Sequence, residues 1–544
     1  VEETLALLAQ QGLPVRAVSI RAREKSCLNE VVACRPDCCE YANGHHDRTR
    51  AAGVHDQLWS EQDGVMCVPT PDDVEVMAKE HTVCPFAVSM DLATQADVII
   101  GDYNYFFDPS RRLSAVSESP DDWIVIVDEA HNLPDRARSY ASPSLSWALV
   151  SQALAGLETL PVYDAITDIV RELSDFLEAG MDTLLGVNEA AFPIDEGLEI
   201  RRIQELAGLI DAVGMDYALL KTEHRVFEES DLFSELARQI TRIRLVLERA
   251  GEETVVIWRQ KGRRGTGGLS LLCRDPAPLL GPLFADVGAS VVMSATLQPV
   301  EFYASMFGLE SGRRIEAQYE SPFPPQNRRV LIVADVSTEY KKREKHKSAI
   351  AAHVESTIAA VPGNVAVYFS SFALRDMICA EMGLLGRPVI FQERNMDETD
   401  RAVVLEVMAR GEGHVLMGVL GGIFSEGIDL PGAGLLAAII VGPALPAVGL
   451  ERRLMSAWFQ EQYEHGFRYA YQVPGMARVV QAAGRVIRTP EDEGAIILID
   501  RRFIQNDYQR FFPTSWFPIR TSEPSSELND LWTEQVVTGS GCES

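Results

Sequence analysis

The 544-residue chain is 46% hydrophobic and 24% charged, the composition of a globular protein too long for one hydrophobic core. Its formal charge of −29 opposes a general affinity for polyanions. No apolar run reaches the roughly 20 residues of a membrane-spanning helix.

In chain order, "VEETLALLAQQGLPVR" reads as a helix leading into a strand, without the basic start of a signal peptide. The chain is therefore expected to begin inside a domain. Six of the nine cysteines fall between Cys27 and Cys84. Without a secretion signal, clustered thiols point to metal or an iron–sulfur cluster and not to disulfides. "ADVIIGDYNYFF" (96–107) and "DWIVIVDEA" (122–130) are apolar runs of the length of buried parallel strands. Helical periodicity takes over from 141 to 250, and β-rich runs return at 254–258, 269–273 and 289–296. After the linker "SPFPPQNRR" (321–329) a second α/β series follows, with strands predicted at 328–334, 364–371, 414–419, 435–442 and 494–500. The C-terminal "SEPSSELNDLWTEQVVTGSGCES" reads as partly disordered.

Four stretches carry chemistry. "VDEAH" ends an apolar strand with Asp128 and Glu129, where α/β folds place ligands. Asp128 suits Mg²⁺, and Glu129 suits the polarisation of an attacking water. Alone, the stretch is equally a strand end followed by an acidic cap. "VVMSATL" (291–297) offers Ser294 and Thr296 as hydroxyls able to hydrogen-bond the carboxylate and His131. In "GGIFSEGIDLPG" (421–432) glycines permit close backbone approach. There Glu426, Gly427 and Asp429 are candidates for nucleotide contact, and Ser425 for a strand phosphate. In "QAAGRVIRTPEDEG" Gln481, Arg485 and Arg488 stand four and three apart, so on a helix they share one face. Their guanidiniums suit a γ-phosphate. The partner such a site needs, a Gly-x-x-x-x-Gly-Lys-Ser/Thr phosphate loop, occurs nowhere in the 544 residues.

The order Asp-Glu-Ala-His, Ser-Ala-Thr, "NVAVYFSSF", Ser-Glu-Gly-x-Asp and Gln-x-x-Gly-Arg-x-x-Arg resembles motifs II, III, IV, V and VI of superfamily 2 helicases. The cysteines narrow this. "RAREKSCLNE", "VVACRPDCCEYANG" and "HTVCPFAVSMDLATQADVIIGDYNYFFDP" resemble the XPD/Rad3 branch, including its DinG-related members, in which four Cys hold a [4Fe–4S] cluster. The resemblance implies Cys27, Cys34, Cys39 and Cys84 as ligands. Cys38 is a spare or a substitute, and Cys67 lies in an unmatched loop. Four cysteines alone suit zinc equally. Arg23 matches a basic position near the cluster that would face DNA, with a solvated surface Arg as the alternative.

The implied fold is α/β, with two RecA-like motor domains of parallel sheets plus a Cys-rich iron–sulfur insertion and a helical Arch insertion in the first. The expected boundaries are 1–24 and 91–140 for motor domain 1, 25–90 for the cluster, 141–250 for the Arch, 251–320 for the rest of motor domain 1, and 321–544 for motor domain 2. The implied activity is ATP- and Mg²⁺-dependent 5′-to-3′ translocation on single-stranded DNA, with fork or bubble substrates and a role in DNA repair. The alternatives are a DinG-type helicase, an RNA-directed DEAH motor, or a non-hydrolysing DNA-binding scaffold. Further expectations are a monomer, no membrane partner, and a prokaryotic cytoplasmic, nucleoid-associated location. The absent phosphate loop is expected to precede the given sequence. Only eight basic residues are Lys, none beyond Lys347, so any DNA surface would be built of Arg.

Overall fold

The computed structural model describes all residues except 14, 31, 33, 35–38, 63–64, 67, 160–162, 224–230, 263–266, 426–433 and 540–544. Beyond residue 328, apolar β-branched runs alternate with helices and assemble into one seven-stranded sheet. Its order is Val389–Phe391, Val415–Val419, Val365–Phe369, Ala437–Val441, Gly494–Ile499, Arg328–Val333 and Ile519–Thr521. Every neighbouring pair is parallel. The three central strands and Val415–Val419 are buried along their whole length. Parallel sheets covered on both faces give unbroken apolar runs of this kind. Leu331, Val367, Ile439 and Ile497 pack with Ile350, Val354 and Ile358 of helix Arg343–Ala360. The two edge strands are three residues each, too short for a periodicity to reveal them.

At the end of Gly494–Ile499 the fully buried Asp500 carboxylate accepts from the amide and hydroxyl of Thr338, both at 2.7 Å, and from Arg502 Nε at 2.9 Å. Gly442, at φ +82°, leaves room for this group, since a Cβ there would lie 2.2 Å from Thr338 Oγ1.

The middle of the chain is a helical insertion with a sheet of its own. Helices Trp147–Glu158, Asp164–Asp182, Ile200–Glu223 and Leu232–Leu247 pack on an antiparallel sheet. Its strand order is Ser144–Ser146, Gly268–Cys273, Thr254–Arg259 and Glu189–Pro193. Val170, Leu173 and Leu177, at helical spacing, enter this core beside Trp258 and Leu271. The strands at 254–259 and 268–273 therefore pair inside the insertion, which does not end at 250 as the helical periodicity suggested. Short strands carry no mark of their partner in the sequence.

Helix Leu450–Tyr463 docks on this sheet. Leu450 and Leu454 pack against Val255, Ile257 and Leu272. The buried Asp275 accepts from Trp458 Nε1 at 3.2 Å and Tyr463 OH at 2.7 Å. Arg259 pairs with Glu451 at 2.6 Å, and Arg274 stacks on Trp458.

Residues 1–127, 135–140 and 282–291 form a separate unit. Its short ladders among the described residues pair Ala17–Ser19 with Val98–Ile100, Glu61–Gln62 with Val65–Met66, and Ile124–Val127 with Ala289–Val292. The expectation of fully buried strands is corrected here. Val125 and Val127 are buried, whereas Ile124 and Ile126 are 70% and 65% exposed. "YNYFF" continues after the turn at Gly101 as the short helix Asn104–Phe107, not as strand.

Burial alone would raise the Asp500 carboxyl, but Arg502 and Thr338 outweigh it and hold it below its ordinary range. Its stabilising contribution is thus complete above the unfolded value of about 3.9 and is lost as pH falls through the lower folded value. Asp500→Asn should cost about 3–5 kcal/mol in denaturant unfolding at neutral pH and flatten the acid limb of the stability profile.

Candidate functional site

The Asp128–Glu129 pair directly follows strand Ile124–Val127, and both carboxylates are exposed. Glu129 adopts a left-handed backbone conformation, φ +46°, a strained choice for a non-glycine residue. Its amide donates to Asp128 Oδ1 at 2.8 Å, and the Ala130 amide donates to Met293 O at 3.0 Å. These bonds turn the chain so that Glu129 and His131 meet on one side.

His131, with a side chain 4% exposed, is the centre of the site. The Gln481 amide donates to its Nε2. Its Nδ1 lies 2.7 Å from Ser294 Oγ, and Ser294 in turn donates to Glu129 Oε2 at 3.1 Å. A ring that accepts at Nε2 carries its proton on Nδ1, so the direction runs Gln481 to His131 to Ser294 to Glu129. The Thr296 amide also donates to Ser294 Oγ, at 3.2 Å. Residues of "VDEAH" and "VMSAT" thus meet in one hydrogen-bonded chain.

The arrangement of Gln481, Arg485 and Arg488 on a single helix face is corrected. Helix Val473–Ala483 ends before either arginine, with Gly484 as its C-cap. Arg485 and Arg488 lie in the turn that follows, pinned where Val486 and Ile487 are buried. The Asp492 carboxylate accepts the amides of Arg488 and Thr489, each at 2.8 Å, a pattern that competes with helix. Burial lowers the Arg488 guanidinium from its ordinary value, against the opposing pull of Asp492.

Two supporting residues were not singled out in the sequence, though Tyr368 lies within the motif IV-like stretch 364–372. Tyr368, fully buried in strand Val365–Phe369, donates to Phe424 O at 2.8 Å and lies within electrostatic range of both arginines. Gln392 accepts from the Val419 amide at 3.1 Å. An all-apolar strand context marks Tyr368 as core, and nothing local marks Gln392.

The glycines of "GGIFS" do allow close approach, but to side chains. A Cβ on Gly422 would lie 2.4 Å from Gln392 Nε2, and one on Gly421 3.1 Å from Arg478 Nε. Ser425 is corrected as a phosphate contact: it is fully buried and its hydroxyl donates to Gly422 O at 3.0 Å. Glu426, Gly427 and Asp429 lie outside the described residues, as do Cys38 and Cys67.

Cys27, Cys34, Cys39 and Cys84 are free thiols that influence one another. Partial desolvation raises the Cys34 thiol, Arg23 opposes this, and Cys84, Cys27 and Cys39 add to it. Cys39 is buried and accepts from Asn29 Nδ2 at 3.2 Å. Four thiols, one with an N–H donor on its sulfur, form a donor set that fits an iron–sulfur cluster or zinc. Arg23 stands beside this group with its guanidinium over the Phe86 ring at 5.0 Å.

A family model described as "Helicase C-terminal domain" matches residues 354–519, and one described as DEAD_2 matches residues 1–149. The chain is 22% identical to the ATP-dependent DNA helicase chl1 of Schizosaccharomyces pombe, over 92% of this chain and 68% of that protein. It is 22% identical to the Fanconi anemia group J protein homolog of Gallus gallus, over 93% and 48% respectively. For the regulator of telomere elongation helicase 1 homolog of Drosophila melanogaster the values are 23%, 90% and 59%. The chain thus spans between about half and two thirds of the length of these relatives. Among solved structures, one named XPD_Helicase superposes with a TM-score of 0.56 at 16% identity, covering 96% of this chain and 94% of that one. That of S. tokodaii Xpd4 gives 0.52 at 16%, covering 92% and 95%. Both share the fold.

Leaving His131 Nε2 without its donor at so buried a position should be costly. Gln481→Leu is expected to lose about 1–3 kcal/mol in denaturant unfolding, and His131→Leu in the same chain should recover part of that loss.

Proposed function

Because the chain belongs to the XPD/Rad3-like branch of superfamily 2 helicases, we propose that it supplies most of an ATP-driven translocase acting on single-stranded DNA. The observation that carries this reading is the directed chain Gln481–His131–Ser294–Glu129, which joins the acidic segment to the helix leading into Arg485 and Arg488. Its helicase relatives, named for DNA in the case of chl1, favour a DNA substrate.

Asp128 would hold Mg²⁺, which when bound supplies charge neutralisation at phosphate oxygens. Glu129, kept in its left-handed turn and tied to Ser294, takes a proton from the attacking water. His131 orients Glu129 and reports its position to Gln481. Arg485 and Arg488 present forked donors to the γ-phosphate. On DNA, contacts to phosphate and base stacking would give little sequence preference. The 5′-to-3′ polarity and the repair role rest on the family resemblance. Cys27, Cys34, Cys39 and Cys84 would hold a [4Fe–4S] cluster beside the core that Val54, Leu58, Val74, Ala78, Val83 and Val88 form.

DNA-stimulated ATP hydrolysis tests the proposal. In a polypeptide that unites these residues with a phosphate loop, Glu129→Gln should reduce turnover about 10²–10⁴-fold while DNA binding persists. DNA-independent turnover unaffected by the substitution would refute it. The 544 residues alone should turn over ATP poorly. For the thiols, iron and sulfide analysis of anaerobically purified protein should find iron that Cys84→Ser removes, and zinc in its place would overturn the cluster assignment.

A further inference from the structure

Cys84 is the N-cap of helix Pro85–Ala93 and receives no side-chain cap. Its own backbone N–H is donated to Nδ1 of His45, 3.3 Å away. His45 opens helix His45–Ala52 and is 5% exposed, so its ring is held in place by packing. Thr49 Oγ1 lies 3.4 Å from the same Nδ1 and can donate to it as well.

An imidazole nitrogen that accepts an amide N–H carries no proton, so the ring proton sits on Nε2. Nε2 lies 3.5 Å from Asp91 Oδ2, and His55 Nε2 lies 3.8 Å from the same oxygen, electrostatic contacts outside hydrogen-bond geometry. Asp91 lies about two turns along the helix that Cys84 caps. One buried ring therefore touches that helix at its cap and again near its C-terminal end.

We propose that Asp91 and His45 act as a positioning pair for Cys84. Asp91 selects the Nε2–H tautomer, the bare Nδ1 then fixes the Cys84 amide, and the thiol is aimed at Cys27, Cys34 and Cys39. This rests on the reading of Cys84 as a cluster ligand. The rival use of the same groups is a separate divalent-metal site, since His45, His46 and Asp91 offer closely spaced ligand atoms. A metal on His45 Nε2 would push the ring proton to Nδ1 and break the Cys84 contact, so the observed hydrogen bond argues against it.

The test is chelator challenge of anaerobically purified protein, followed by the visible absorption of the cluster, with total metal analysis alongside. His45→Leu and Asp91→Leu should each release iron about 10-fold faster than the unsubstituted chain. Asp91→Leu touches no part of Cys84, yet it takes away the carboxylate that favours the Nε2–H tautomer and so loosens the hold on the Cys84 amide. His45→Gln, which keeps an acceptor and a donor, should restore release to within about twofold of the original, and the denaturant midpoints of all variants should agree. Unchanged release from His45→Leu or Asp91→Leu would overturn the positioning role, as would a stoichiometric zinc ion lost with His45. Protein purified without iron would overturn the ligand reading itself, and the pair with it.

Discussion

A single buried imidazole holds the candidate site together. His131 reaches Gln481 through one ring nitrogen and Ser294 through the other, so three chain segments far apart in sequence depend on one tautomer. The strained turn at Glu129 is affordable because the same bonds fix both of its sides. Remove the ring and the hydroxyl that holds the carboxylate loses its link to Gln481. The geometry therefore concentrates the coupling between an acid that would act on water and the helix before the arginines into three hydrogen bonds.

Much of this was readable from the residues. The unbroken apolar strands of the second series are found in place, because a strand buried on both faces needs no polar alternation. The pairing of Ser294 with His131 and Glu129 was legible in the ordered motifs. What escaped was set by tertiary context. Arg485 and Arg488 have helical spacing, but the Asp492 carboxylate offers their segment a different set of hydrogen bonds. Ser425 looks available beside two glycines, yet the loop folds its hydroxyl inward. Ile124 and Ile126 look like core because composition cannot say which face of a strand is covered.

The arginine content also changes meaning. A chain of net charge −29 with few lysines suggested arginines reserved for phosphate. Several are instead structural. Arg387 donates to the carbonyls of Gly413, Ile358, Val361 and Gly363, tying together loops beside the sheet. The buried Arg375 donates to Gln392 O, and Arg502 is committed to Asp500 and Thr338. A planar fork satisfies several carbonyls at once, which an ammonium cannot. The surface left for a polyanion is smaller than the composition implies.

The helical insertion leaves the chain between strands Ile124–Val127 and Ala289–Val292, yet its sheet is fastened to helix Leu450–Tyr463 by Asp275, Trp458 and Tyr463. A buried carboxylate shared by two aromatic donors resists shear, and the Arg259–Glu451 pair resists rotation about it. The insertion is thus joined covalently to the segments before residue 141 and after residue 281, yet it packs in one compact unit with the C-terminal sheet.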